Sequence, residues 1–248
     1  RHLADHGWTC GLVGKLHVAS AWEGEERRID DGYEETHFSH APTQLADDTN
    51  EYFTWLRSQG KLDEVLDMSQ HEPDVRRGVK YRENVPFELH QTTWCADVAI
   101  DFMRRRAGSP WLMSVNIFDP HGPMDAPDDF RRPYEEAGVP EPLYRESDQE
   151  VQRRLSTHVF QSPCRRPGET EQQEKASYYA MIELIDRNVG RMLEELERTG
   201  RRENTVVIFT SDHGDMLGDH GLRAKGCRLY DGLVRVPLIV SCPGRIEQ

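Results

Sequence analysis

Four short apolar runs, at residues 9–13, 111–118, 205–210 and 236–240, constrain the fold of this chain more than any other feature. Each is built from β-branched or aromatic residues and ends at Gly, Pro or Asp, as strands of a sheet covered on both faces do. Helical periodicity fills the intervals. Asp48 or Thr49 can cap a helix that places Tyr52, Trp55 and Leu56 on one face and stops at Gly60. A second helix spans residues 93–106, with Trp94, Val98 and Phe102 on one side. The third begins with a capping box of Thr170 and Gln173, carries Ile182, Ile185, Val189, Met192, Leu193 and Leu196 at helical spacing, and ends at Gly200. Strands alternating with helices of this length predict an α/β fold with a mainly parallel sheet flanked by helices.

Two stretches depart from this rhythm: residues 24–47 are polar and turn-rich, and residues 127–168 are charged and lack sustained periodicity. Both read as loops; the second is a loop insertion near the mouth of a site, with plain surface insertion as the alternative. At 248 residues the chain can form one large domain or two small ones, and 36% hydrophobic content suffices for a core. The net charge of -13 repels a phosphate backbone, so nucleic acid is not an expected partner. No apolar run approaches the roughly 18 residues of a membrane span, and the first residues have no signal core. The chain opens without Met inside what reads as a helix end, so it reads as a fragment, which leaves the compartment open. Cys10, Cys95, Cys164, Cys227 and Cys242 are scattered, odd in number and never spaced C-x-x-C, so they read as buried or idle thiols.

Chemistry concentrates where the third apolar run ends, at Ser211-Asp212-His213-Gly214-Asp215. In parallel α/β sheets ligands collect beyond the carboxyl ends of strands, so Asp212 could give a hard oxygen, and His213 a neutral nitrogen, to a divalent cation. A strand ending in a polar turn fits the same letters, and two ligands alone do not define a metal site.

The surrounding letters supply a resemblance. SDHGDMLGDHGL, then Lys225-Gly226, then YDGLVRVPLIV and Pro243-Gly244, resembles the carboxyl-proximal signature of the sulfatases, a branch of the alkaline phosphatase superfamily. WTCGLVGKLH resembles the family's G-K-W-H segment, with Leu16 where Trp is common, and SVNIFDPHGPM resembles its D-P-H-x-P segment. The three matches occur in family order and span most of the chain; the first is highly specific and the other two are weak alone. The resemblance implies that residues 1–248 form part of a sulfatase catalytic domain, without its N-terminal nucleophile region and C-terminal subdomain.

It further implies roles. Asp212 and His213 become metal ligands. Calcium is the ion usual in sulfatases, while a nitrogen ligand also suits manganese or zinc. Lys15, His17, His121 and Lys225 become the catalytic groups around a sulfuryl group, with ammonium ions against nonbridging oxygens and imidazoles donating hydrogen bonds or moving protons. His220 is a weaker candidate that could simply organise its loop. Sulfatases attack with a formylglycine made from a C/S-x-P-x-R motif, and only a few residues precede Lys15, so that motif is expected outside this chain. Ser241-Cys242-Pro243-Gly244-Arg245 fits the letters but follows a strand and lacks the expected helical continuation, so it reads as a turn. The implied substrate is a small-molecule or saccharide sulfate ester; the rivals are a phosphonate or phosphate ester hydrolase on the same scaffold and an inactive homologue. Oligomeric state is left open.

Overall fold

The computed structural model describes residues 1–16, 30–40, 50–68, 85–122, 124–154 and 164–246. In chain order the described elements are α1 (His2–Asp5), β1 (Thr9–Gly14), β2 (Glu35–Phe38), α2 (Glu51–Ser58), α3 (Leu62–Met68), α4 (Gln91–Arg105), β3 (Trp111–Asn116), α5 (Asp128–Ala137), α6 (Glu146–Arg154), α7 (Glu169–Arg198), β4 (Val207–Thr210), α8 (Asp231–Val234) and β5 (Leu238–Ser241). They form two compact units: Arg1–Phe130 with Ala180–Gly200, and Arg131–Tyr179 with Arg201–Gln248. The helix α7 gives its first part to the second unit and the remainder to the first.

In the first unit three strands lie in the order β2-β1-β3, all parallel, with Gly14 paired to both Phe38 and Asn116. Parallel pairing brings all three carboxyl ends to one edge, so the segments that follow each strand emerge together. Helix packing holds the sheet. Tyr52, Phe53 and Leu56 of α2 and Trp94, Cys95 and Ala99 of α4 are buried with Val13 in one core. Each such large apolar side chain stabilises the fold by roughly 1.5–3 kcal/mol. Asn50 caps α2 by accepting a hydrogen bond from the Tyr52 N–H at 3.2 Å. The caps expected at Asp48 or Thr49 lie outside the described residues.

Strand β2 departs from expectation, because residues 35–38 fall within the stretch read as loop. Its sequence, Glu-Thr-His-Phe, carries little intrinsic strand signal, and pairing with β1 makes it a strand. Ion pairs fasten it from one side: Glu35 binds the Arg105 guanidinium of α4 and His37 binds Glu51 of α2 at 2.7 Å. The Arg105 hydrogen bond leads the effects that hold the Glu35 carboxyl down at about 2.

In the second unit β4 and β5 pair antiparallel, Val207 with Ser241 and Thr210 with Leu238. Sequence pattern makes these strands buried, yet Ile208 is 64% and Leu238 70% exposed. Among the described residues the two strands pair only with each other, which leaves apolar side chains on an uncovered ribbon. The region 127–168, expected as loop, contains α5 and α6. Helix α7 begins at Glu169 rather than after the capping box expected at Thr170 and Gln173. The Glu171 carboxylate reaches back to accept from the Gly168 N–H at 2.8 Å, one half of a capping box placed two residues earlier, with glycine at the cap unable to return the bond. On α7 Met181, Leu184, Ile185 and Leu196 are buried, whereas Ile182 is exposed.

Candidate functional site

The sequence-derived candidates fall on both units. In the first, β1 runs directly into Lys15. The Lys15 N–H donates to the Asn116 carbonyl at 2.8 Å, and the Asn116 side-chain amide donates to the Lys15 carbonyl at 3.0 Å, so the ends of β1 and β3 are laced together. The close approach requires glycine at position 14: its φ is 96°, and a Cβ there would meet the Asn116 carbonyl oxygen at 2.1 Å.

Beyond β3 the chain passes through Phe118 and a cis Asp119-Pro120 bond to His121. The Phe118 ring is the common neighbour of the two candidates. Lys15 Nζ lies 5.2 Å from its centroid, and the His121 ring lies 4.8 Å from it. A cation over an aromatic face keeps its charge while being held in place. The His121 Nδ1–H donates to the Gly122 carbonyl at 2.8 Å, which leaves Nε2 as the nitrogen that can accept or deliver a proton. The ring is exposed and so open to a solute. His17 lies outside the described residues.

Two features near this edge escaped the sequence reading. His40, just past β2, places its ring 6.0 Å from Phe118, while its carbonyl accepts from Gln91 Nε2 at 2.8 Å. Below the His121 loop, His90, Thr92, Asp119 and Asp125 are buried together. Burial drives the Asp119 carboxyl above the ordinary range; the nearby Asp125 carboxylate adds to the rise, while His90 and the Thr92 hydroxyl oppose it. The run His90-Gln91-Thr92-Thr93 opens α4, and four polar residues ahead of Trp94 could have signalled a buried polar helix start.

In the second unit the turn after β4 gathers three candidates. The His213 N–H donates to Asp212 Oδ1 at 3.0 Å, and the Ser211 hydroxyl donates to the His213 carbonyl at 2.8 Å, so the turn is stapled by its own side chains. Gly214 is needed because a Cβ would stand 2.0 Å from the Gly232 carbonyl oxygen of α8. The His213 Nδ1–H donates to the Gly214 carbonyl at 2.7 Å, which makes Nε2 the lone-pair nitrogen. That lone pair accepts from Lys225 Nζ at 3.0 Å, and Asp212 Oδ2 lies 3.6 Å from the same nitrogen.

This oxygen and nitrogen suit a divalent cation as two donors of a larger set, with Lys225 giving way at Nε2. Among the described residues no three His, Cys, Asp or Glu side chains are gathered around one such position. Tyr178 of α7 is a further neighbour that sequence spacing did not single out: burial pushes its phenol up to about 12, with the negative charges of Asp215 and Asp212 adding to the effect.

His220 stacks on Tyr230 at 4.1 Å, and its Nδ1 faces Asp148 at 3.5 Å, contacts that order the loop after Asp215. Ser241 accepts from Arg202 at 2.6 Å, and the Cys242 thiol is buried against the Glu203 carbonyl, so the S-x-P-x-R look-alike is the packed end of β5. All five cysteines are free thiols. Among the described residues no helix is long and apolar enough to cross a membrane.

The parallel strands and flanking helices form an α/β fold of the alkaline phosphatase-like kind. It superimposes on the phosphonate monoester hydrolase of Agrobacterium radiobacter with a TM-score of 0.76 at 23% identity, over 98% of this chain and 52% of that one. The Sulfatase family model matches residues 2–248, and the chain belongs to the Sulfatase family. It is 32% identical to an arylsulfatase of Clostridium perfringens over 97% of its own length and 51% of the relative's. It is 29% identical to a choline-sulfatase of Rhizobium meliloti over 98% and 47%. The chain thus spans about half the length of the curated relatives it matches.

Proposed function

We propose that the intact protein hydrolyses sulfate esters of small molecules or saccharides. The observation that carries this reading is the turn after β4, where Asp212 and the Nε2 lone pair of His213 lie side by side with the Lys225 ammonium, on a chain of the Sulfatase family. Asp212 and His213 would hold a divalent cation, calcium or, given the nitrogen donor, manganese or zinc. The cation would supply positive charge against the sulfuryl oxygens and favour the ionised nucleophile. The nucleophile in this reading is a formylglycine carried outside residues 1–248.

The remaining work falls to side chains of this chain. Lys225 and Lys15 place ammonium charge against nonbridging oxygens, whose negative charge grows as the ester bond breaks. Lys15 keeps a defined position because the Asn116 bonds anchor its backbone and its ammonium lies over the Phe118 ring. His121, its Nδ1–H committed to the Gly122 carbonyl, acts as the imidazolium: it delivers the Nε2 proton to the departing alcohol oxygen and is left as the neutral Nδ1–H ring. His17 adds a second imidazole in this assignment.

In the full-length enzyme, Asp212→Ala, Lys225→Ala and His121→Ala should each lower kcat/KM on an aryl sulfate by about 100-fold or more at unchanged far-UV circular dichroism. Near-normal turnover by Asp212→Ala would discard the assignment. A second reading, phosphonate monoester hydrolysis, draws support from the fold likeness, since tetrahedral sulfuryl and phosphoryl groups need nearly the same clamp. The ratio of kcat/KM for an aryl sulfate over that for an aryl phosphonate monoester decides between them: sulfate hydrolysis predicts a ratio above one.

A further inference from the structure

The buried polar group beneath the His121 loop has no part in the chemistry above, and its composition is costly. His90, Thr92, Asp119 and Asp125 are each no more than 8% exposed. Withdrawing carboxylates and an imidazole from water costs several kcal/mol per ion, and apolar residues of the same volume would serve folding as well or better. Stability therefore gives no reason for this set; its geometry does.

His90 precedes α4 and caps it with its ring: Nδ1 accepts from the Thr92 N–H at 3.2 Å. With Nδ1 accepting, the ring proton lies on Nε2, which faces Asp125 Oδ1 at 3.5 Å, while Asp119 Oδ2 lies 3.7 Å from Nδ1. The Thr92 hydroxyl donates to the same Asp119 oxygen. Asp119 thus rests on the amino end of α4, where the helix dipole favours a negative charge. Asp119 stands two residues before His121 and Asp125 four residues after it. Asp119 is thus hydrogen-bonded to the first turn of α4 and Asp125 faces its cap residue His90 across 3.5 Å, so both flanks of the His121 loop lie against one helix, whose far face packs in the main core through Trp94, Cys95 and Ala99.

We propose that His90, Thr92, Asp119 and Asp125 are positioning residues that hold the His121 imidazole over Phe118 in its Nδ1–H tautomer. This rests on the reading that His121 acts on the ester. A loop tethered on one side only could rotate His121 off the Phe118 face, and misplacement by about 1 Å can cost about 100-fold in rate. The cluster acts through hydrogen-bond geometry, so a variant that keeps the hydroxyl or the cap should behave differently from one that removes it.

The test uses the full-length enzyme. Thr92→Val removes the donor to Asp119 while keeping the side-chain shape, and should lower kcat about tenfold with a smaller change in KM. Thr92→Ser, which restores the hydroxyl, should recover most of that loss. His90→Asn keeps an acceptor for the Thr92 N–H but cannot reach Asp125, and serves as a second, independent lesion should Thr92→Val fold poorly. In a His121→Ala background neither change should lower activity further, because residues that act as one unit are not additive. Nitrogen NMR of labelled histidine should show the His121 ring leaving its single Nδ1–H tautomer in Thr92→Val.

A Thr92→Val enzyme with unaltered kcat and an unaltered His121 ring spectrum overturns the proposal. So does an activity loss that persists in full in the His121→Ala background. Should His121→Ala alone retain full activity, the assignment of His121 to the reaction fails, and the ring spectrum still decides whether the cluster positions it.

Discussion

Gly14→Ala is the sharpest single test of how the β1 and β3 ends carry Lys15. The added Cβ would stand 2.1 Å from the Asn116 carbonyl oxygen and 2.7 Å from its carbon. Relief to an ordinary contact of about 3.5 Å requires the two strand ends to part by about 1.4 Å. That movement removes the Lys15 N–H bond to Asn116, 2.8 Å, and strains the return bond from the Asn116 amide, 3.0 Å. Two net hydrogen bonds contribute about 1 kcal/mol each. Alanine at the φ of 96° found here adds about 1–2 kcal/mol of backbone strain. The expected loss is about 3–4 kcal/mol, a large part of the 5–15 kcal/mol typical of a domain. Urea unfolding should show a lower midpoint at unchanged m. In the full-length enzyme kcat/KM should fall with it, since Lys15 Nζ leaves its place over Phe118. A Gly14→Ala protein within about 1 kcal/mol of the parent would refute the reasoning, because the clash would then be relieved without parting the strands.

Two further expectations concern groups away from the chemistry. His37 bonds Glu51 at 2.7 Å and Glu35 at 3.2 Å, and its pKa is raised, chiefly by the Glu51 bond. The stability this adds is present in full below the unfolded-state value of about 6.5 and is lost as pH rises through the higher folded-state value. Denaturant midpoints of the parent and of His37→Gln should therefore differ most near pH 5.5 and converge by pH 9; a constant gap would contradict the linkage. Cys227 is exposed, whereas Cys95 is fully buried and burial drives its thiol pKa up. Iodoacetamide should label Cys227 in the native protein and reach Cys95 only on unfolding, as peptide mass mapping would reveal.

The strands that sequence pattern revealed are those whose signal is carried by their own side chains. Thr9–Gly14 and Trp111–Asn116 are apolar because α4 covers them, and their boundaries lie within two residues of expectation. Strand β2 was hidden because its partners create it: Glu35 and His37 look like loop residues until Arg105 and Glu51 are placed beside them. The amino ends of helices were misplaced for a related reason. At α4 the cap is an imidazole, outside the usual Ser, Thr, Asp and Asn set, and at α7 the side chain that reaches back to the cap is Glu171 rather than Gln173. At the site, adjacency in sequence placed Asp212 and His213 together, whereas Lys225, 12 residues further on, entered through the sulfatase resemblance and lies 3.0 Å from His213 Nε2. Phe118 and the His90 cluster stayed illegible, because an apolar run and a helix start each have an ordinary structural explanation in one dimension.

Burial of polar residues and placement of reactive ones share a cause in the first unit. A parallel sheet ends all its strands at one edge, and beyond that edge the backbone must bend, leaving N–H and C=O groups that need partners. The amino turn of α4 arrives with its own unpaired N–H groups. In that gap His90 accepts from the Thr92 N–H and the Thr92 hydroxyl donates to Asp119. Once such a polar floor exists, the chain leaving β3 can be pinned by Asp119 and still present His121 to solvent two residues later. The same edge lets Lys15 leave β1 with its backbone tied to Asn116 and its ammonium extended over Phe118. Rigidity below and reach above thus come from one topological feature, and a substitution that fills the gap with apolar volume should strengthen the core while loosening the imidazole it supports.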